Sequence, residues 1–169
     1  MANDLLKRLK GNIVSRFSFV RYLSLGIERV LIHLDAEGGI ELHTREVNLG
    51  KDEAYTLQAE EIWDKEGMEW IDAGWRIGNV RVIRRQDWLE SSSNKVSLIG
   101  KNPRIHTWGA VGTAPDTAKY RRIVDFGVVL DSESLDHQAM VYLADYPGLV
   151  CFITDALEIR SLCDAYQRV

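Results

Sequence analysis

Arg76, Arg81, Arg85, Arg104 and His106, interleaved with Trp88 and Trp108, are the side chains whose types and spacing best suit chemistry, and that chemistry is recognition of an anion. Guanidinium groups hold carboxylate or phosphate through paired hydrogen bonds, and indole rings add a stacking or cation–π surface beside them. Between Arg76 and Arg122 ten basic residues stand against three acidic ones, a local net of +7 in a chain whose total is −4. The other blocks alternate in sign, with +4 over residues 1–29, −9 over 30–75 and −6 over 123–169. Such blocks either neutralise one another across the fold or leave one basic surface open to an anionic partner.

The placing of the first two arginines rests on Gly78-Asn79. The flanks Ala73–Ile77 and Val80–Arg84 have the length of paired strands, and the dipeptide has the backbone freedom of a two-residue hairpin loop. In that register Ile77 faces Val80, Trp75 faces Val82 and Arg76 faces Arg81. Like charges directly across a hairpin destabilise it by a few tenths to about 1 kcal/mol, so a negative group should answer them. It is either an anionic ligand or partner, with Trp70 or Trp88 nearby, or a carboxylate of the chain itself such as Glu60, Glu61 or Asp64. The segment from Pro103 to Thr113 brings Arg104, His106 and Trp108 beside Gly109 and Gly112, the ingredients of a phosphate or carboxylate cradle. It lacks the G-x-x-x-x-G-K-[ST] of a nucleotide loop, and such glycines also serve chain reversal.

Catalytic constellations are weaker. His33, Glu41 and His43 share one face of a hairpin if Leu34 pairs with Ile40, which suits a metal or acid–base site and equally suits the wet side of a half-buried sheet. Ser132, Ser134, Asp136 and His137 are sequence neighbours, whereas triad members converge from separate elements, and no G-x-S-x-G elbow is present. Cys151 lies in the apolar run Leu149–Ile153, where burial raises a thiol pKa and denies access. Cys163 has no C-x-x-C partner either, so both thiols are expected reduced and packed as small hydrophobes. No metal and no cofactor is expected.

The elements that must hold these residues follow from periodicity. Leu5, Leu6, Leu9, Ile13, Phe17, Val20 and Leu23 keep a helical period, predicting an amphipathic helix from Asp4 to about Leu23, broken at Gly11-Asn12. Val30–Leu34 and Ile40–Thr44 flank a turn at Gly38-Gly39. Asp52 caps an acidic helix to about Glu66 carrying Tyr55, Ala59, Ile62 and Trp63 on its apolar side. Trp63 and Trp75 are assigned to the core, and the exposure of Trp70, Trp88 and Trp108 separates core from patch. Residues 91–94 read as a loop. A strand runs from Ile123 to Leu130, and Gln138–Ala144 and Leu149–Thr154 read as strands across Tyr146-Pro147-Gly148, with a short helix before a buried strand as the alternative. Asp155 caps a final helix to about Gln167, with Leu157, Leu162 and Tyr166 among its apolar positions.

With 169 residues and 46% apolar composition, one domain over 1–169 is the default, with a loop break near 91–94. The expected architecture is α+β, a mainly antiparallel sheet built from hairpins and packed against N-terminal and C-terminal helices. Charges interrupt the N-terminus every few residues, so no signal peptide or span is read there and a cytoplasmic location is expected. Net charge −4 argues against a general nucleic-acid binder. By exclusion the chain is of the type of a bacterial, non-catalytic interaction or inhibitor protein, such as a toxin-neutralising immunity protein. Its acidic stretch from Glu53 to Asp72 would face a basic protein partner. The alternative is a domain for a small anionic ligand or nucleotide, enzymatic or not, built on Arg76, Arg81, Arg104 and His106. Association into a homo-oligomer through the aromatic residues is compatible with either.

Overall fold

The computed structural model describes residues 3–48, 53–63, 65–92, 95–100 and 120–166. In chain order they form α1 (Asn3–Lys7), β1 (Ile13–Tyr22), β2 (Gly26–Leu34), β3 (Gly39–Asn48), β4 (Glu53–Ile62), β5 (Glu69–Ser92), β6 (Lys95–Gly100), β7 (Tyr120–Ser132), β8 (Gln138–Leu143), β9 (Val150–Ile153) and α2 (Ala156–Tyr166). All pairings are antiparallel. The path β1-β5-β7-β8-β9-β2 returns to β1 through the β1–β2 pairing, so six strands close into a barrel. β3 and β4 extend outward from β2, and β4 comes back against β7, where the Asp125 amide donates to Thr56 Oγ1 at 3.1 Å.

This corrects the α+β expectation. The helices, of 5 and 11 residues, are too short to cover such a sheet. The sheet instead covers itself: closure buries one face of every barrel strand against the others and pairs the edges. Phe17 contacts Trp75 at 6.1 Å and Phe152 at 4.9 Å between ring centroids, and Phe19 contacts Phe152 at 5.0 Å. Val30, Ile32, Val128, Leu130 and Val141 fill the core around them. α1 buries Leu6, with Leu9 just beyond it. α2 lays Ile159, Cys163 and Tyr166 on the molecule at helical spacing, and Tyr166 meets Phe126 at 4.2 Å.

Three local expectations are overturned. The predicted N-terminal helix ends at Lys7, and Ile13–Tyr22 is a strand whose buried Phe17 and Phe19 alternate around Arg16 and Val20. The predicted acidic helix is β4, with Leu57 and Ala59 buried on one face in period two and Tyr55 packed partly on the same core. Gly78-Asn79 is no turn, because Glu69–Ser92 is one continuous strand in which β7 passes from Ser132 opposite Ile77 to Asp131 opposite Asn79. The glycine is needed there for close approach, since a Cβ would lie 2.7 Å from Glu133 Cα.

Other expectations match. β2 and β3 form the first hairpin with Gly38 at φ +95, although Ile32 rather than Leu34 pairs with Ile40. β8 and β9 are strands, β7 covers the expected 123–130, and the Glu158 amide donates to Asp155 Oδ1 at 2.8 Å as the α2 cap. Of the 91–94 loop, Ser91 and Ser92 end β5 paired with Val96 and Lys95, and residues 93–94 lie outside the described residues. No helix among the described residues is long and apolar enough to cross a membrane.

Candidate functional site

β5 is the longest strand, and its two edges are used unequally. One edge pairs with β7 from Ile77 to Leu89. The other pairs with β1 through Arg76, and the junction is sealed where the Gly11 amide donates to Ile77 O at 2.8 Å and the Ile77 amide to Asn12 O at 2.9 Å. Pairing on that side resumes at Asp87, opposite Gly100 of β6. Between these points the edge has no strand partner among the described residues. Beside it lies a groove of about 760 Å³, closed on the far side by the end of α1 and the residues that follow it. Its floor is the unbroken run from Asn79 to Arg84, with Leu6, Lys7, Lys10 and Tyr166 as walls. Consecutive residues all line it, so the groove follows the strand's edge and not one of its faces.

Four cations line the groove, Lys7, Lys10, Arg81 and Arg84, and no carboxylate does. Arg81 donates from Nε and Nη2 to Asp131 at 2.9 and 3.1 Å, and this hydrogen-bonded carboxylate holds the guanidinium even more firmly charged than usual. Asp131 is buried and also accepts from Gln138 Nε2 at 2.7 Å. Arg84 meets Asp125 with one bond of 3.3 Å and its side chain stays 54% exposed. Lys7 forms a fully wet pair with Asp4, and Lys10 has no ion-pair partner among the described residues. Asp4, Asp131 and Asp125 thus pair with Lys7, Arg81 and Arg84 without themselves lining the groove, which leaves Lys10 as its cation without an ion-pair partner among the described residues.

Of the residues singled out by sequence, Arg81 lies in this groove. Arg76 lies just outside, donating to Gly11 O at 2.5 Å and approaching Glu133 at 3.5 Å, where it ties the segment before β1 to β5 and the β7–β8 turn. The two arginines therefore do not face each other, and their counterions are Glu133 and Asp131 rather than Glu60 or Glu61. Arg85 packs over the Phe126 ring at 5.2 Å. Trp88 stands in β5 opposite Arg121 and Ile99. Arg104, His106 and Trp108, like Asp64, lie outside the described residues. Trp63 and Trp70 are exposed, at 66% and 60%, which corrects the assignment of Trp63 to the core. Trp75 packs on the core as expected and stacks on His137 at 6.2 Å. Sequence reasoning missed Lys7, Lys10 and Arg84. A turn read at Gly78 hid the open edge, although the charge count pointed to the basic stretch that contains it.

His33, Glu41 and His43 do share a face. Glu41 is fully buried in β3 yet ionised: burial pushes its carboxyl up, but Lys65 at 2.6 Å and Arg29 at 2.7 Å outweigh this and hold it below the usual range. Glu41, His43 and Glu60 place ligand atoms within 4.8 Å of one another. Both Glu41 oxygens are already engaged by cations, so a divalent ion would enter against two positive charges. The set does not fit a metal centre and serves as an ion knot under the 63–68 connection, whose Gly67 amide also donates to Ser18 Oγ at 3.0 Å. Ser18 in turn meets His33 Nε2 at 2.7 Å, and burial and Arg16 lower the His33 pKa.

Ser132, Ser134, Asp136 and His137 form a turn lock. The Ser132 hydroxyl donates to Asp136 at 2.9 Å and accepts from the His137 amide at 3.0 Å, and Ser132 is buried. A nucleophile needs a base that can take its proton and an oxygen open to substrate; hydrogen bonds from Ser134 and Ser132 hold the Asp136 carboxyl below its ordinary range, which makes it a weak base, and the Ser132 oxygen is buried. Burial pushes both thiols up, Cys163 being buried and Cys151 half-buried, and the two are free. The fold and groove therefore define an antiparallel barrel in which a cation-lined stretch of the β5 edge has no strand partner among the described residues. Compared with known proteins, the chain matches no family model, no curated protein and no solved structure.

Proposed function

We propose that this protein is a non-catalytic binding module that takes an acidic segment of a partner protein in the groove on the open edge of β5. The observation that carries this is the lining itself, in which six consecutive residues along one edge of β5, Arg81 and Arg84 among them, meet Lys7 and Lys10, with no carboxylate among the described lining residues. Among the described residues, the candidate groups Ser132, Cys151 and Glu41 are engaged or buried, which favours binding over catalysis. Of the acidic stretch from Glu53 to Asp72, Glu61 meets Arg8 at 3.1 Å, Glu60 lies beside His43, and Glu66 and Glu69 pair with Arg16 and Arg21. These carboxylates are answered within the chain, which favours the groove over them as the docking surface. An inhibitor or immunity-type role would be one use of such a module.

The test is fluorescence anisotropy with a labelled peptide of about ten residues alternating glutamate and valine, against its lysine counterpart and a single-stranded oligonucleotide. The glutamate peptide binds in a salt-dependent manner, and the double variant Lys7→Glu, Lys10→Glu weakens it about tenfold or more, as reversal of two near charges should. Both positions are on the surface, so the variant keeps its fold by circular dichroism. No binding at low salt, indifference to the double variant, or preference for the lysine peptide or the oligonucleotide overturns the proposal.

A further inference from the structure

We infer that the groove receives its occupant as an added β-strand, antiparallel to β5, that bridges the interval between β6 and β1. This rests on the groove being the binding site and adds how the partner is held. The lane beside β5 is already occupied at both ends by strands of that orientation: β6 ends with Gly100 opposite Asp87, and β1 begins with Ile13 opposite Arg76. The interval between them, without a strand partner among the described residues, is about 30 Å long at roughly 3.4 Å per residue. An extended segment laid there continues the same lane, and its amides and carbonyls meet those of β5 that β7 does not use.

The lining also prescribes the segment's side chains. On one face of β5, Val80 and Val82 pair with Leu130 and Val128 of β7 and pack partly against the core. Arg81 projects from the other face. An added strand alternates in the same way, so beside Val80–Val82 the matching sequence carries apolar residues flanking an acidic one, and beside the buried Ile83 and the exposed Arg84 an apolar residue followed by an acidic one.

Strand addition is separated from simple charge attraction by methylating the peptide backbone. The glutamate–valine peptide is compared with a version N-methylated at alternate residues, which keeps every charge and side chain and removes the donors that pair with β5. Two versions, one for each set of alternate residues, cover both registers. One of the two should lose affinity about tenfold or more, and hydrogen exchange of the β5 amides between residues 79 and 85 should slow on binding the parent peptide only. Equal affinity of all three peptides, with the parent still binding, overturns strand addition and leaves the groove reading intact. Slow exchange at 79–85 already in the free protein also overturns it. Failure of the parent peptide to bind overturns both.

Discussion

Replacing Glu41 by glutamine puts the ion knot under the 63–68 connection to a quantitative test. The carboxylate is fully buried and holds two charge-assisted bonds, to Arg29 at 2.7 Å and Lys65 at 2.6 Å. Each such bond contributes about 1.5–3 kcal/mol, set against the penalty of burying the carboxylate. Glutamine keeps the volume but offers one acceptor, and turns its amide hydrogens toward the second cation. Breaking a fully buried pair costs about 3–5 kcal/mol. Here Lys65 and Arg29 are 50% and 35% exposed and can return to water, so a smaller loss is expected. Glu41→Gln should therefore cost about 2–3 kcal/mol, read as a fall in urea midpoint with unchanged slope, or about 4–12 °C in Tm.

The same carboxylate fixes how that loss depends on pH. Because its folded pKa lies below the ordinary value of 4.5, its stabilisation is complete above that pH. It declines as the pH falls below 4.5 and is gone beneath the depressed folded value. The gap between wild type and Glu41→Gln must therefore be widest near neutrality and narrow in acid. A loss below about 0.5 kcal/mol at neutral pH, within the range of ordinary surface changes, or a gap that widens on acidification, would refute the reasoning.

Other outcomes follow from single positions. Leu135 is 80% exposed at φ 62, so Leu135→Asn should stabilise by a few tenths to about 1 kcal/mol in thermal unfolding, and a loss of stability would contradict the strained turn. A Cβ on Gly39 lands inside the contact shell of the Ile32 carbonyl, so Gly39→Ala should lower the urea midpoint markedly, and a wild-type midpoint would contradict the hairpin register. Burial raises both thiols, so at mildly alkaline pH Cys163 should resist alkylation until the chain unfolds and Cys151 should react slowly. Rapid labelling of Cys163 in the native protein would show that α2 is not docked as described.

Where local chemistry decides structure, the sequence was readable. The glycine turn between β2 and β3, the Asp155 cap and the Pro-Gly turn between β8 and β9 are each a few residues acting on their own backbone. Where long-range pairing decides, it misled. In β1 the pairing register shifts between Val14 and Arg16, so the apolar residues from Ile13 to Val20 fall at a spacing that imitates a helix. In β4 the alternation of Tyr55, Leu57 and Ala59 competed with a helical set from Tyr55, Ala59 and Ile62, and only the pairing with β3 favours the first. Gly78 carries the signature of a turn but is required by the approach of Glu133, in the turn that follows β7 far along the chain. The basic character of the site was visible in the charge blocks. Its shape was not, because an open edge is defined by where β1 begins and β6 ends.

The central claim, that an acidic segment occupies the open edge of β5, is tested most directly by titrating the glutamate–valine peptide into isotope-labelled protein and following backbone amide chemical shifts. The account predicts saturable changes concentrated at Asn79 to Arg84, Lys7, Lys10 and Tyr166, abolished in the Lys7→Glu, Lys10→Glu variant. Changes centred elsewhere, or none at saturating peptide, would contradict it.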